Sequence, residues 1–131
     1  MFKIIPNKRE IGAEIVCNIK KLNKRDFIKI KTALQKYGMI YFKEQNLTSK
    51  FYLKFAKKFG KLANYPRLKG LSKKYPQITV VQRKASDKGP SFGEQFHTDS
   101  IYTKNLLDLQ CCYLGLFLRK EEPTLSFVHN I

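Results

Sequence analysis

The sequence predicts an α+β fold, mainly β, in which short strands accompany two amphipathic helices. Two observations predict it: apolar runs of strand length recur along the chain, and in two other stretches the apolar residues step by three and four, as on one face of a helix. With 131 residues and a hydrophobic fraction of 43%, the chain can bury the core of one domain. No run is long enough for a membrane span and no secretion signal precedes the first strand, so we expect a cytoplasmic protein without a membrane partner.

The N-terminal third predicts two strands, a helix and a third strand. Residues 2–5 and 12–17 are strand-like, with a turn at Pro6 and Asn7 between them. Residues 23–38 predict a helix that Asn23 caps and Gly38 closes. Its apolar stripe consists of Phe27, Ile30, Leu34 and Tyr37. Residues 39–42 then read as a buried strand.

The middle of the chain repeats this arrangement less regularly. Residues 47–60 predict a second helix, with Thr48 as its cap and an aromatic stripe whose commonest use is core packing. Residues 61–75 read as a loop, 77–84 as a strand and 85–95 as a flexible approach to the following segment. Residues 106–118 are almost continuously apolar, and no turn or cap is evident after them.

The net charge of +16 raises the question of a nucleic-acid partner. The basic residues are spread from Lys3 to Lys120 without forming a block, which favours a solvated lysine surface and no specific nucleic acid. Three cysteines, two of them adjacent at Cys111 and Cys112, fit a reducing compartment, and no C-x-x-C spacing predicts a thiolate zinc site. A non-catalytic basic binding module stays open as the alternative to an enzyme.

A histidine and an aspartate two residues apart, His97 and Asp99, form the candidate metal site. A neutral imidazole and a carboxylate suit iron(II) in the arrangement of two histidines and one carboxylate, which leaves coordination positions open for co-substrate and dioxygen. Taken alone, the pair favours a structural histidine beside an unrelated acid.

Four segments, the last of which contains this pair, follow one another in a characteristic order. They are IGAEI at 11–15, ALQKYGMIYFKEQNLT at 33–48, FAKKFGKL at 55–62 and FHTD at 96–99. Together they resemble the taurine catabolism dioxygenase family of iron(II)/2-oxoglutarate enzymes, over about residues 11–105. The resemblance implies a double-stranded β-helix, which is a jelly-roll-like barrel, with the two helices packed outside it.

The same resemblance implies a chemistry and a set of residues. His97 and Asp99 would be two iron ligands, while Gln95 and Tyr65 would face a small-molecule substrate. Iron(II) would be the cofactor and 2-oxoglutarate the co-substrate of a hydroxylation.

Past Asn105 the sequence departs from the family pattern. A proline pair, a glycine pair and a threonine that contacts 2-oxoglutarate are expected there, and only Thr124 falls near one of these positions. The codons of residues 105–107, 110–112 and 120–125 permit the family residues in an adjacent reading frame. We therefore expect residues 1–105 to be the N-terminal part of a dioxygenase domain and residues 106–131 to be a frame-shifted tail.

Two consequences follow from this interpretation of the tail. His129 would be a chance histidine and not the third metal ligand, which would be absent from the chain together with the arginine that pairs with 2-oxoglutarate. A barrel that lacks its later strands exposes unpaired edges, so we expect a homo-oligomer or an aggregate that does not turn over alone.

Overall fold

The computed structural model describes residues 1–8, 11–64, 68–81, 86, 88–90, 109–114 and 124–129. The chain divides into two compact units, one formed by Met1–Leu47 with Asp108–Ile131 and the other by Thr48–Leu107. Neither helix in the described part of the chain has the length and apolar character that a membrane crossing requires.

The first unit is built on a five-stranded sheet. Its strands are β1 (Lys3–Pro6), β2 (Ala13–Val16), β3 (Met39–Phe42), β6 (Leu109–Leu114) and β7 (Thr124–His129), in the spatial order β1-β2-β3-β7-β6. β2 and β3 pair in parallel and the other neighbours are antiparallel. Parallel neighbours need a crossover connection, and here it consists of a 3₁₀ turn at Ile19–Lys21 and helix α1 at Lys24–Tyr37.

Both ends of α1 are capped as the sequence predicts. The Asn23 side chain accepts a hydrogen bond from the backbone N–H of Asp26 at 2.8 Å. At the other end Gly38 takes the left-handed conformation, with φ of 70°, and its N–H donates to the Leu34 carbonyl at 2.9 Å. These caps fix the length of the helix that crosses from β2 to β3.

The core of the first unit lies between α1 and the sheet. The helix buries Ile30, Ala33 and Leu34, and the 3₁₀ turn contributes Ile19. The sheet side consists of Ala13, Ile15, Ile40 and Phe42, each at most 1% exposed. This alternation of buried residues in β2 and β3 is the period-two pattern of strands covered on one face by a helix.

The turn between β1 and β2 is held by Asn7 and Gly12. The Asn7 side-chain amide donates to the Ile11 carbonyl and accepts from the Tyr41 hydroxyl, both at 3.0 Å. Gly12 has φ of 84°, and its N–H donates to the Tyr37 carbonyl at 2.9 Å. A side chain at Gly12 would meet the Asn7 amide at 2.7 Å, so the turn requires glycine there.

The second unit contains helix α2 (Ser49–Ala56) and a hairpin of β4 (Gly70–Ser72) and β5 (Tyr75–Thr79). The Thr48 hydroxyl caps α2 by accepting from the Phe51 N–H at 3.3 Å. Phe55 is 1% exposed and its ring centroid lies 5.6 Å from that of the half-buried Phe59, so the centre of the aromatic stripe is used for core packing as predicted. α2 packs against β5.

Several predicted bounds differ from the observed ones. Pro6 belongs to β1 and not to a turn, which is tolerated because β1 is an edge strand and needs no second ladder hydrogen bond. The predicted loop at 61–75 contains β4, whose three residues lack apolar alternation and are defined by pairing with β5. β5 begins at Tyr75 and ends at Thr79, before the predicted end at 84.

The structure confirms the mixed α and β composition and the two helices. The jelly-roll-like barrel stays a prediction. In the tail, β6 falls within the apolar run and β7 occupies a stretch for which the sequence had predicted no element. Their pairing with each other and with β3, rather than a local pattern, defines these strands.

Candidate metal centre

The four residues predicted for the iron and substrate sites, Tyr65, Gln95, His97 and Asp99, lie outside the described residues. Their roles stay predictions. Within the described ranges, no group of three or more His, Cys, Asp or Glu residues is placed to hold a metal ion.

Thr124 and His129 lie at opposite ends of β7. Thr124 pairs with Leu114 and His129 with Leu109 along the backbone. Six residues of extended strand place the two ends about 17 Å apart. One small site could therefore not use both residues while this strand persists.

A cleft of about 540 Å³ opens where β2 and β3 end. Its lining includes Glu14 and Cys17 from the β2 side, and Lys43 and Gln45 from the β3 side. These are polar and ionisable groups, so the cleft is the place in the first unit to test for chemistry.

Gln45 is the buried polar residue of this cleft, with 8% of its surface exposed. Its side-chain oxygen accepts from the Ile19 N–H at 3.3 Å, and its nitrogen donates to the carbonyls of Cys17 at 3.0 Å and Lys43 at 2.7 Å. A buried amide with partners on both sides satisfies backbone groups that the strands leave unpaired. Gln45 therefore fastens the end of β3 to the segment after β2.

Two charged groups of the cleft, Glu14 and Lys43, are paired with each other. Lys43 Nζ lies 2.9 Å from a Glu14 carboxylate oxygen. This hydrogen bond raises the pKa of Lys43, and the negative charge of Glu14 adds to the effect. Since Glu14 is held by Lys43, the pair gives the cleft a polar wall and not an open metal ligand.

The Cys17 thiol is also unsuited to chemistry at neutral pH. Burial raises its pKa to about 11, and the negative charge of Asp26 acts in the same direction, while the N-terminal ammonium group opposes them. A thiol of this pKa is protonated at pH 7 and is a poor nucleophile. The cleft is accordingly a structural junction.

Comparison with known proteins decides the family. The family model described as taurine catabolism dioxygenase TauD, TfdA family matches residues 3–114, which is most of the chain. The chain belongs to the TauD/TfdA family. The family predicted from the four ordered segments is therefore confirmed.

A solved TauD/TfdA-like structure matches as well. The crystal structure of a provisionally named alpha-ketoglutarate-dependent taurine dioxygenase from Burkholderia xenovorans has a TM-score of 0.53 and 30% sequence identity to this chain. The match covers 63% of this chain and 32% of that protein, so the chain corresponds to about a third of its length.

The range of the TauD/TfdA match sorts the candidate residues. Tyr65, Gln95, His97 and Asp99 fall inside residues 3–114, while Thr124 and His129 fall outside. The match also runs nine residues past the predicted boundary at 105 and ends in the last residue of β6.

Sequence reasoning missed the structural role of two polar residues in the matched segments. Gln45 lies in the quoted stretch at 33–48, and Asn7 precedes the stretch at 11–15. A polar residue three positions after a buried strand was the one available indication for Gln45. Its three partners are distributed over residues 17–43 and could not be read from local pattern.

Proposed function

We propose that this chain carries the N-terminal part of an iron(II)/2-oxoglutarate-dependent dioxygenase domain that hydroxylates a small organic substrate. The observation that carries the proposal is the position of the His97 and Asp99 pair inside the range that matches the TauD/TfdA family. In a region unrelated to that family, the same two residues would favour a structural histidine.

The donor set of this pair fits the metal that the family implies. One neutral imidazole and one carboxylate are two of the three ligands of a facial iron(II) site. When bound, iron(II) with 2-oxoglutarate and dioxygen would supply the oxidising chemistry for hydroxylation of a C–H bond. His97 and Asp99 would hold the metal, and Gln95 and Tyr65 would orient the substrate beside it.

Thr124 is proposed as a contact for 2-oxoglutarate only through its place in the sequence. Its position outside the family match and at the start of β7 adds no support. A Thr124→Val variant of the 131-residue chain would test the contact by calorimetry, since loss of the hydroxyl would weaken the binding of 2-oxoglutarate to this chain if the contact exists.

We further propose that residues 106–131 are read in a shifted frame. The support is the codon pattern, which permits the proline pair and the glycine pair of the family in the adjacent frame. Two observations argue against a shifted frame: the family match extends to residue 114, and the tail contains the strands β6 and β7. Sequencing the coding DNA tests this directly: an adjacent frame that closes within a few codons, or lacks a further histidine, removes the proposal.

The activity is tested by iron-dependent consumption of 2-oxoglutarate. A protein restored to the adjacent frame should consume 2-oxoglutarate slowly even without its substrate, and the His97→Ala variant of that protein should not. The 131-residue chain should show no consumption above background, because it would contribute only two of the three ligands. Turnover by the 131-residue chain would show that its ligand set is complete and would remove the frame-shift proposal.

A further inference from the structure

An apolar groove runs between β1 and the outer side of α1, away from the cleft described above. It has a volume of about 310 Å³ and is lined by Ile4, Ile28, Ala33 and Tyr37, among others. Ala33 is buried, whereas Ile28 is 64% exposed. The apolar side chains therefore form a floor that is open to solvent along the helix.

Two lysines stand at the edge of this groove. Lys29 and Lys36 are exposed and both line it. Lys29 Nζ lies 5.5 Å from the centre of the Phe2 ring, and Lys36 Nζ lies 5.2 Å from the centre of the Tyr37 ring. An ammonium group held against an aromatic face is partly ordered before any ligand arrives, which lowers the entropic cost of binding.

Helix α1, which forms one side of the groove, and the 3₁₀ turn before it are also cationic. The exposed basic residues of α1 and the preceding 3₁₀ turn are Lys20, Lys21, Lys24, Arg25, Lys29, Lys31 and Lys36. In the described part of the chain none of these seven forms an ion pair with a carboxylate. This contrasts with Lys43, whose charge Glu14 compensates.

We propose that the groove docks an acidic segment of a partner protein, in which carboxylates flank one apolar side chain. The apolar residue would fill the floor beside Ile28, and the flanking carboxylates would pair with Lys29 and Lys36. A second copy of this chain is disfavoured as the occupant of this groove because it would bring a net charge of +16 to a cationic surface, and the oligomers expected above would form through unpaired strand edges instead. Nucleic acid would use the cations and leave the exposed apolar floor uncovered.

A fluorescence anisotropy titration tests the proposal with a labelled peptide of glutamates around one central leucine. The probes for comparison are the same peptide with glutamate in place of leucine, and a labelled single-stranded oligonucleotide of equal charge. The leucine peptide should bind in a salt-dependent way and about tenfold more tightly than the all-glutamate peptide, given the area of one buried leucine. Equal binding of the two peptides, or tighter binding of the oligonucleotide, would overturn the proposal.

Matched variants locate the site. Ile28→Asp should weaken binding of the leucine peptide about tenfold. Leu71→Asp, at a residue of the second unit that is 46% exposed, should leave this binding unchanged. The pair Lys29→Glu and Lys36→Glu should weaken binding more than the pair Lys50→Glu and Lys57→Glu. The two pairs make the same charge change at the same seven-residue spacing on exposed helix positions or caps.

The double variants separate a docking groove from general attraction to a basic protein. All of these side chains except Ile28 and Leu71 are solvated lysines, so circular dichroism melting should show that each variant folds like the parent chain. Equal loss of affinity in the two lysine pairs would mean that the peptide responds to net charge alone, and the groove would not be a site.

Discussion

Replacing Gln45 by methionine should destabilise the first unit more than any exchange of an exposed glutamine. Methionine keeps the unbranched shape and removes both polar ends. The Ile19 N–H, whose residue is 2% exposed, would lose its acceptor, and the carbonyls of Cys17 and Lys43 would each lose a donor. A buried N–H without an acceptor costs about 1–3 kcal/mol, and each carbonyl that loses a donor costs about 0.5–1 kcal/mol. We therefore expect the free energy of unfolding to fall by about 3 kcal/mol.

Urea denaturation followed by circular dichroism measures this loss. With a slope of about 1.5 kcal/mol per molar urea, the unfolding midpoint of Gln45→Met should fall by about 2 M. Gln35→Met is the matched control, because Gln35 is exposed on α1 and the same atoms change. If Gln45→Met shifted the midpoint no more than Gln35→Met, the hydrogen bonds of Gln45 would not hold the end of β3, and the reasoning would fail.

Three other predictions concern the turn, the thiol and the association of the chain. Gly12→Ala should cost about 2 kcal/mol in urea unfolding because φ is 84° there, whereas Gly60→Ala should cost little because the added Cβ meets no atom of the described residues within 4 Å. In a background without Cys111 and Cys112, the rate of Cys17 alkylation by iodoacetamide should increase with pH and follow an apparent pKa of about 11. The stability that the buried neutral thiol contributes should be full below pH 9 and should disappear as pH rises to about 11, a loss that Cys17→Ala lacks. The expressed chain should oligomerise or aggregate in size-exclusion chromatography, and a compact monomer with cooperative melting would count against this expectation.

The elements that are determined by local sequence signals, such as periodicity and caps, could be predicted from the sequence. α1 shows the helical period, an Asn23 cap and a Gly38 stop, and its observed bounds lie within one residue of the predicted ones. β3 was predicted with its observed bounds because four apolar residues directly follow a helix stop. In both cases short-range sterics and hydrogen bonds determine the structure, so pattern and position agree.

Elements defined by long-range pairing could not be predicted this way. β4 has no apolar alternation, and the sequence shows no turn or cap signal for β7, so each depends on a partner strand. The same limit applies to Gln45, whose partners are backbone groups of three separate residues. For the metal pair, the residue types and their spacing could be read from the sequence, whereas the role of His97 and Asp99 as iron ligands stays a prediction.

Calorimetry of iron(II) binding under anaerobic conditions tests the central claim most directly. We expect weak binding to the 131-residue chain that His97→Ala or Asp99→Ala abolishes and His129→Ala leaves unchanged, because two ligands would come from the H-x-D pair and none from β7. A tight site that depends on His129, or binding that survives both His97→Ala and Asp99→Ala, would contradict it.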